Sequence, residues 1–194
     1  ADKLSPGDMV IQSQLLDAAA LTNNFPLIMA RLDRTVAANP LDIGNYEGRA
    51  ELLWKAAEHA YKNGDKRAGE YCAAILQLPD EISKQQARLK PTLNFWQGDK
   101  LEITPTIALN LARVHYLQGH YEQSVLLLDT PYHDLVDRQE RPEPLMSDIQ
   151  AVYAASLRMQ GKSQESRDVL EQAQDRAVKL YHDMMQWEVL EENA

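Results

Sequence analysis

The chain has 194 residues, enough for one domain or one short repeat array. Hydrophobic residues at 44% and charged residues at 25% are ordinary globular values and argue against disorder. Twenty Lys and Arg stand against 29 Asp and Glu, a net charge of -9. That disfavours a general nucleic-acid or anionic-membrane surface, because phosphates are held by clustered cations.

In chain order, the sequence predicts helical hairpins joined by short turns. The first pair, about 8–22 and 25–38, meets at Thr22-Asn23-Asn24 and closes at Asn39-Pro40. The second, about 44–62 and 65–77, turns at Asn63-Gly64 and closes at Leu78-Pro79, since proline ends helices. An extra helix is expected over about 80–89, followed by a loop with Phe95, Trp96 and Gly98, so that 80–104 reads as an insertion. Thr104-Pro105, a hydroxyl cap before a first-turn proline, opens a third hairpin over about 105–117 and 121–129, turning at Gly119. Residues 130–143, with Pro131 and Pro142, read as a second insertion. The fourth hairpin, about 144–190, turns at Gly161. No stretch alternates apolar and polar residues long enough to argue a strand.

Helical periodicity supports these assignments. Ile107, Leu111, Val114 and Leu117 recur at steps of four and three, as a buried helix face requires. Ala50, Leu53, Ala57, Ala60 and Tyr61 do the same in the second hairpin. The expected fold class is all-α: a single domain over 1–194 of about four divergent hairpins plus an extra helix.

The segment Ala108–Ser124 resembles one tetratricopeptide unit. Leu111-Ala112 stands where that family has its large-small pair, Gly119 is at the turn, and Tyr121 holds the aromatic place after it. Ser124 replaces the usual alanine of the second helix. Asp148–Ala173 is similar to a second unit through Tyr153-Ala154, Gly161, Ser166 and Ala173. Ala57, Gly64 and Ala68 mark a third. The resemblance implies a right-handed α-solenoid, although turn-to-turn spacings of 55 and 42 residues depart from the 34 of a strict array. A narrower resemblance follows the order Asn39-Pro40-Leu41-Asp42, Leu78-Pro79-Asp80-Glu81-Ile82, Trp96, Leu101-Glu102-Ile103-Thr104-Pro105 and Tyr116–Glu122. It is to the C-terminal tetratricopeptide region of bacterial O-antigen ligase/polymerase-like membrane proteins. It implies an extracytoplasmic location and glycosyl-transfer chemistry in a separate membrane part. A chain beginning with Ala1, without a basic segment and apolar run, is then expected to be a piece of something larger. A cytoplasmic location is the alternative.

Motifs for chemistry are sparse. The eight glycines are scattered singly, without a phosphate loop, and neither Gly-x-Ser-x-Gly nor His-Glu-x-x-His occurs. His115 and His120 flank a turn, so one helix face is not expected to present both. His59, His133 and His182 lack ligand spacing, and no metal or cofactor is expected. Cys72, the single cysteine, excludes an internal disulfide and reads as a small buried hydrophobe. No run approaches the roughly 18 apolar residues of a membrane span, so no membrane insertion by this segment is expected.

What helical hairpins do well is bind, because stacked hairpins form a groove. Carried over from the resembling family, the groove residues are Trp54, Glu58 and Tyr61; Leu109, Arg113 and Tyr116; and Ala151, Ala155 and Arg158. Helical spacing equally allows Trp54 and Tyr61 as core, and Arg113 or Arg158 as partners of nearby carboxylates. In the last helix Leu170, Ala173, Ala177, Leu180, Met184 and Trp187 make a heptad seam. From Ser163 onward eight acids face three bases, five of the chain's nine net negative charges. The helix reads as a cap on the array. Alternatively Leu180, Met184 and Trp187 form an interface for a second copy or a basic partner. The expected function is a non-catalytic protein or peptide interaction scaffold. A stand-alone adaptor or co-chaperone is the alternative. An enzyme would need a deep groove with clustered, perturbed carboxylates or histidines.

Overall fold

The computed structural model describes residues 25–40, 42–93, 103–137 and 144–192, with side chains described from Pro26 to Arg88 except Ile28 and Leu41, from Ile103 to Val136 and from Pro144 to Val178. Seven helices account for the regular structure, and no strand occurs among the described residues. They are α1 (Phe25–Ala38), α2 (Ile43–Lys62), α3 (Ala68–Leu93), α4 (Pro105–Leu117), α5 (Tyr121–Asp137), α6 (Pro144–Met159) and α7 (Ser163–Glu192). The expected helix over 8–22 lies outside the described residues. The chain divides into two compact units, Ala1–Ile107 and Ala108–Ala194.

Three turns share one construction. Gly64, Gly119 and Gly161 have φ of 65°, 79° and 82°, the left-handed region that favours glycine. In each, the residue after glycine donates its N–H to a carbonyl five positions back: Asp65 to Ala60, His120 to His115, Lys162 to Leu157. The glycine N–H donates three positions back, to Tyr61, Tyr116 and Arg158. These paired bonds satisfy the last carbonyls of α2, α4 and α6 and reverse the chain. At the other end of α2, the Asp42 carboxylate accepts the Gly44 N–H at 3.0 Å, an N-cap.

In the first unit α2 packs against both α1 and α3. Its buried face is Tyr46, Ala50, Leu53, Ala56, Ala57 and Ala60. The small residues admit close approach, and Leu32, Ile75, Leu78 and Ile82 fill the neighbouring faces. Tyr61 departs from the expected stripe: at 69% exposed it belongs to the last turn, beyond the core. Arg49 ties the three helices together. Its Nη1 donates to Glu81 of α3 at 2.6 Å, and Nη2 lies 3.3 Å from Asp33 of α1.

Leu78-Pro79 predicts a helix end, and Asp80 the start of another helix. The structure has one helix of 26 residues through Pro79. Proline removes one ladder bond, a cost of roughly 3 kcal/mol in an isolated helix. Here Ile75, Leu78 and Ile82, each at most 2% exposed, bury one continuous stripe across the proline. Burial of that stripe offsets the lost bond, at roughly 1.5–3 kcal/mol per large apolar side chain. Likewise α5 runs through Pro131 to Asp137, absorbing much of the expected 130–143 insertion. Tyr132, 4% exposed, and the half-buried Leu135 and Val136 pack the added turns against the core.

In the second unit α6 packs between α5 and α7. Its core contains Leu109 and Ala112 of α4, Leu128 and Tyr132 of α5, five residues of α6 including Ile149 and Leu157, and Val169 of α7. Tyr132 and Tyr153 stack with centroids 4.8 Å apart. Each hydroxyl donates outward, Tyr132 to Gln172 Oε1 at 2.9 Å and Tyr153 to Asp129 Oδ1 at 2.8 Å. Burial, reinforced by the Asp129 carboxylate, pushes the Tyr153 hydroxyl well above the usual tyrosine range, so it stays a donor.

Small hydroxyls mark the closest helix approaches. Ser124 Oγ lies 2.8 Å from Ser156 Oγ, joining α5 to α6. Ser166 Oγ donates to the Ala154 carbonyl at 2.8 Å, joining α7 to α6. No helix among the described residues is long and apolar enough to cross a membrane.

Candidate interaction surface

The expected surface residues of the second unit start on α4. Leu109 is not a surface residue: at 2% exposed it is core, sharing the cluster with Leu128 and Ile149, and offers nothing to a partner. Helical geometry explains this, since Leu109 and Ala112 lie three positions apart on one face.

Arg113 stands one turn further along, its side chain 18% exposed. Its Nη1 donates to Asn110 Oδ1 at 3.2 Å and its Nη2 to Asp148 Oδ2 at 2.6 Å, linking α4 to α6. The pairing with a carboxylate that the sequence allowed is therefore present. It fixes the guanidinium in one orientation, as a preorganised contact requires. Asn110 and Gln150, 1% and 4% exposed, are buried amides that sequence reasoning missed. Gln150 Nε2 is buried without a hydrogen-bond partner among the described residues. The available signal was a polar residue inside an apolar run, Leu109-Asn110-Leu111 and Ile149-Gln150. Asp148 had no such signal, because its partner lies 35 positions away.

Tyr116 is half-buried and meets Tyr121 across the turn edge-to-face, at 5.5 Å and 61°. The same turn brings His115 and His120 together, with ring centroids 5.8 Å apart. His115 and His120 are thus neighbours in space, although one helix face was not expected to hold both. Burial, and then the neighbouring His120, hold His115 below the ordinary histidine range, and its Nδ1 is buried without a hydrogen-bond partner among the described residues. The fold therefore favours the neutral ring, while the unfolded chain titrates near 6.5. This contribution to stability is complete above that value and is lost as pH falls below it. Accordingly, His115→Gln should lessen the drop in urea midpoint between pH 7 and pH 5 relative to the wild-type chain. An equal drop in both proteins would remove His115 from the acid response.

The remaining expected residues are dispersed. Trp54 is half-buried on α2. Glu58 is exposed and accepts a 2.8 Å bond from Lys62 one turn on. Tyr61 is exposed beside it, not core. Arg158 and Ala151 are exposed on α6, and Ala155 is half-buried. The side chains of Leu180, Met184 and Trp187 lie outside the described residues. Cys72 is half-buried, and burial pushes its thiol up, away from a reactive thiolate. Among the described residues no group of three His, Cys, Asp or Glu is placed to hold a metal ion.

The second unit thus presents a fixed guanidinium, a half-buried tyrosine and a histidine pair on α4 and the following turn. Arginine and tyrosine combine large buried area with directed donors, the composition of interface anchors.

The chain is similar to Tripartite motif-containing protein 3 of Rattus norvegicus and of Mus musculus. Identity is 26% over 142 residues in each case. The match covers 72% of this chain but only 19% of either relative, so the chain spans about a fifth of the relatives' length. No family model matches the chain. No solved structure matches it either.

Proposed function

We propose that this chain is a protein-interaction scaffold of tetratricopeptide-like hairpins, and that it engages a protein or peptide partner through the α4 surface. The observation that carries this reading is Arg113, held by Asn110 and Asp148 one turn from the half-buried Tyr116. The common construction of the Gly64, Gly119 and Gly161 turns supports repetition of one hairpin unit. In the narrower form of the proposal, the chain is the extracytoplasmic part of an O-antigen ligase/polymerase-type membrane protein, with no catalysis of its own. This rests on the residue order from Asn39-Pro40 to Glu122.

The surface is tested by crosslinking the wild-type chain and an Arg113→Ala/Tyr116→Ala variant in extracts of source cells. Loss of a specific crosslinked partner at unchanged far-UV helix content is expected. The Asp148 ion pair is half-exposed and contributes about 0–1 kcal/mol, so the fold should survive. A variant that retains the partner, or one that unfolds, overturns the assignment. Immunoblotting of fractionated cells tests the narrower form. A membrane band far above 22.0 kDa is expected. A soluble band near the chain's own mass overturns it in favour of a stand-alone adaptor.

A further inference from the structure

The first unit contains a cleft that the interaction reading does not use. It is walled by α1, α2 and α3 and has a volume of about 560 Å³, the size that accepts a small organic molecule. Its charges run against those of the chain. Arg49, Lys84 and Arg88 line it together with only two carboxylates, Asp33 and Glu81, a surplus of one positive charge in a chain of net -9.

Helical periodicity gathers these groups. Glu81, Lys84 and Arg88 recur on one face of α3, and Arg49 rises from α2 opposite them. The Arg49 side chain is 15% exposed. Asp33 and Glu81 engage its two Nη atoms, at 3.3 and 2.6 Å. Its Nε is buried and has no hydrogen-bond partner among the described residues. Lys84 and Arg88 are exposed, and neither forms an ion pair among the described residues. The rest of the wall is Val36, Ala37 and Ala87 with the single amide of Gln85; Tyr46 lies behind it, 0% exposed, its hydroxyl donating to the Pro40 carbonyl at 3.2 Å.

We propose that this cleft binds a small organic anion, its carboxylate or phosphate head held by the exposed Lys84 and Arg88 beside the paired Arg49, and its apolar body against Val36, Ala37 and Ala87. A carboxylate or phosphate head takes up the positive charge of Lys84 and Arg88, and guanidinium and ammonium groups are suited to such heads. The two protein carboxylates hold the guanidinium and keep the site from attracting anions by charge alone, so the apolar wall supplies selectivity for an organic body.

Titration of the full chain with phenyl phosphate, benzoate and inorganic phosphate, followed by calorimetry or amide NMR, tests the site. Saturable binding of phenyl phosphate or benzoate is expected, tighter than inorganic phosphate by about tenfold. The tighter of the two organic probes identifies the head group. Lys84→Ala/Arg88→Ala should weaken that probe about tenfold or more at an unchanged melting temperature, because both side chains are exposed. Arg49→Lys provides a second variant, but its ties to Asp33 and Glu81 also hold the helices, so the Lys84/Arg88 pair decides. No saturation by about 20 mM, equal binding by the double variant, or inorganic phosphate binding as tightly as phenyl phosphate each overturns the proposal.

Discussion

Ile149→Ala is expected to destabilise the second unit by about 3 kcal/mol, within the range for truncating a buried isoleucine. Ile149 is 0% exposed and sits in the cluster that joins α4, α5 and α6. The amount lost depends on how far neighbours collapse into the void. Here Tyr132 and Tyr153 stand in the same cluster, stacked on each other and tethered at their hydroxyls to Gln172 and Asp129. Rings anchored at both ends move little, so the cavity should stay open. The measurement is the urea midpoint followed by far-UV circular dichroism. Leu126→Ala is the control: on α5 but 68% exposed, it should change stability by no more than about 0.5 kcal/mol. Equal effects of the two substitutions would mean that the packing of α6 described above is wrong.

Position 124 should show the opposite dependence on size. Ser124→Leu is expected to cost about 2–3 kcal/mol, and Ser124→Ala no more than about 1 kcal/mol. Ser156 Oγ donates to the Val152 carbonyl at 2.7 Å, so its 2.8 Å contact with Ser124 is made by accepting the Ser124 proton. Alanine removes that donor and leaves Ser156 with its own bond intact. Leucine places three more carbons where two backbones have come together over two hydroxyls, with both residues 0% exposed. Comparing the melting temperatures of the two variants separates the effects. A leucine variant as stable as the alanine variant would show that the α5–α6 approach is not close.

This pattern also explains what the sequence made legible. Ser124 was readable as a small-residue position because it follows Gly119 by five residues, as Ser166 follows Gly161. Periodicity located α2 and α4 to within a residue, since Ala50, Leu53, Ile107 and Val114 all turn inward. It misplaced Tyr61 and Leu117, which continue the stripes into last turns that no neighbour covers among the described residues. Pro79 and Pro131 misled because a local rule about hydrogen bonds was outweighed by burial of Ile82 and Tyr132, residues that follow each proline by three and one positions. The surface was less legible than the fold. Arg113 was named, but Asp148 and the buried amides Asn110 and Gln150 are matters of tertiary placement. Leu109 was misread because the positions carried over by resemblance included a core residue. Nothing in the sequence marked the Arg49 cleft, whose charges come from three helices up to 55 residues apart.

The three glycine turns carry a consequence for the order in which the protein assembles. Each closes a hairpin within a few residues, and the side-chain bonds that join helices among the described residues span no more than 40 positions. Such a low contact order belongs to chains that fold in microseconds to milliseconds. Synthesis is far slower: at about 5–20 residues per second, the 87 residues of the second unit take roughly 4–17 s to emerge. That interval leaves ample time for α1, α2 and α3 to come together around Arg49. Assembly is therefore expected to be vectorial, each hairpin closing soon after it leaves the ribosome, with little apolar surface waiting for a partner still to be made.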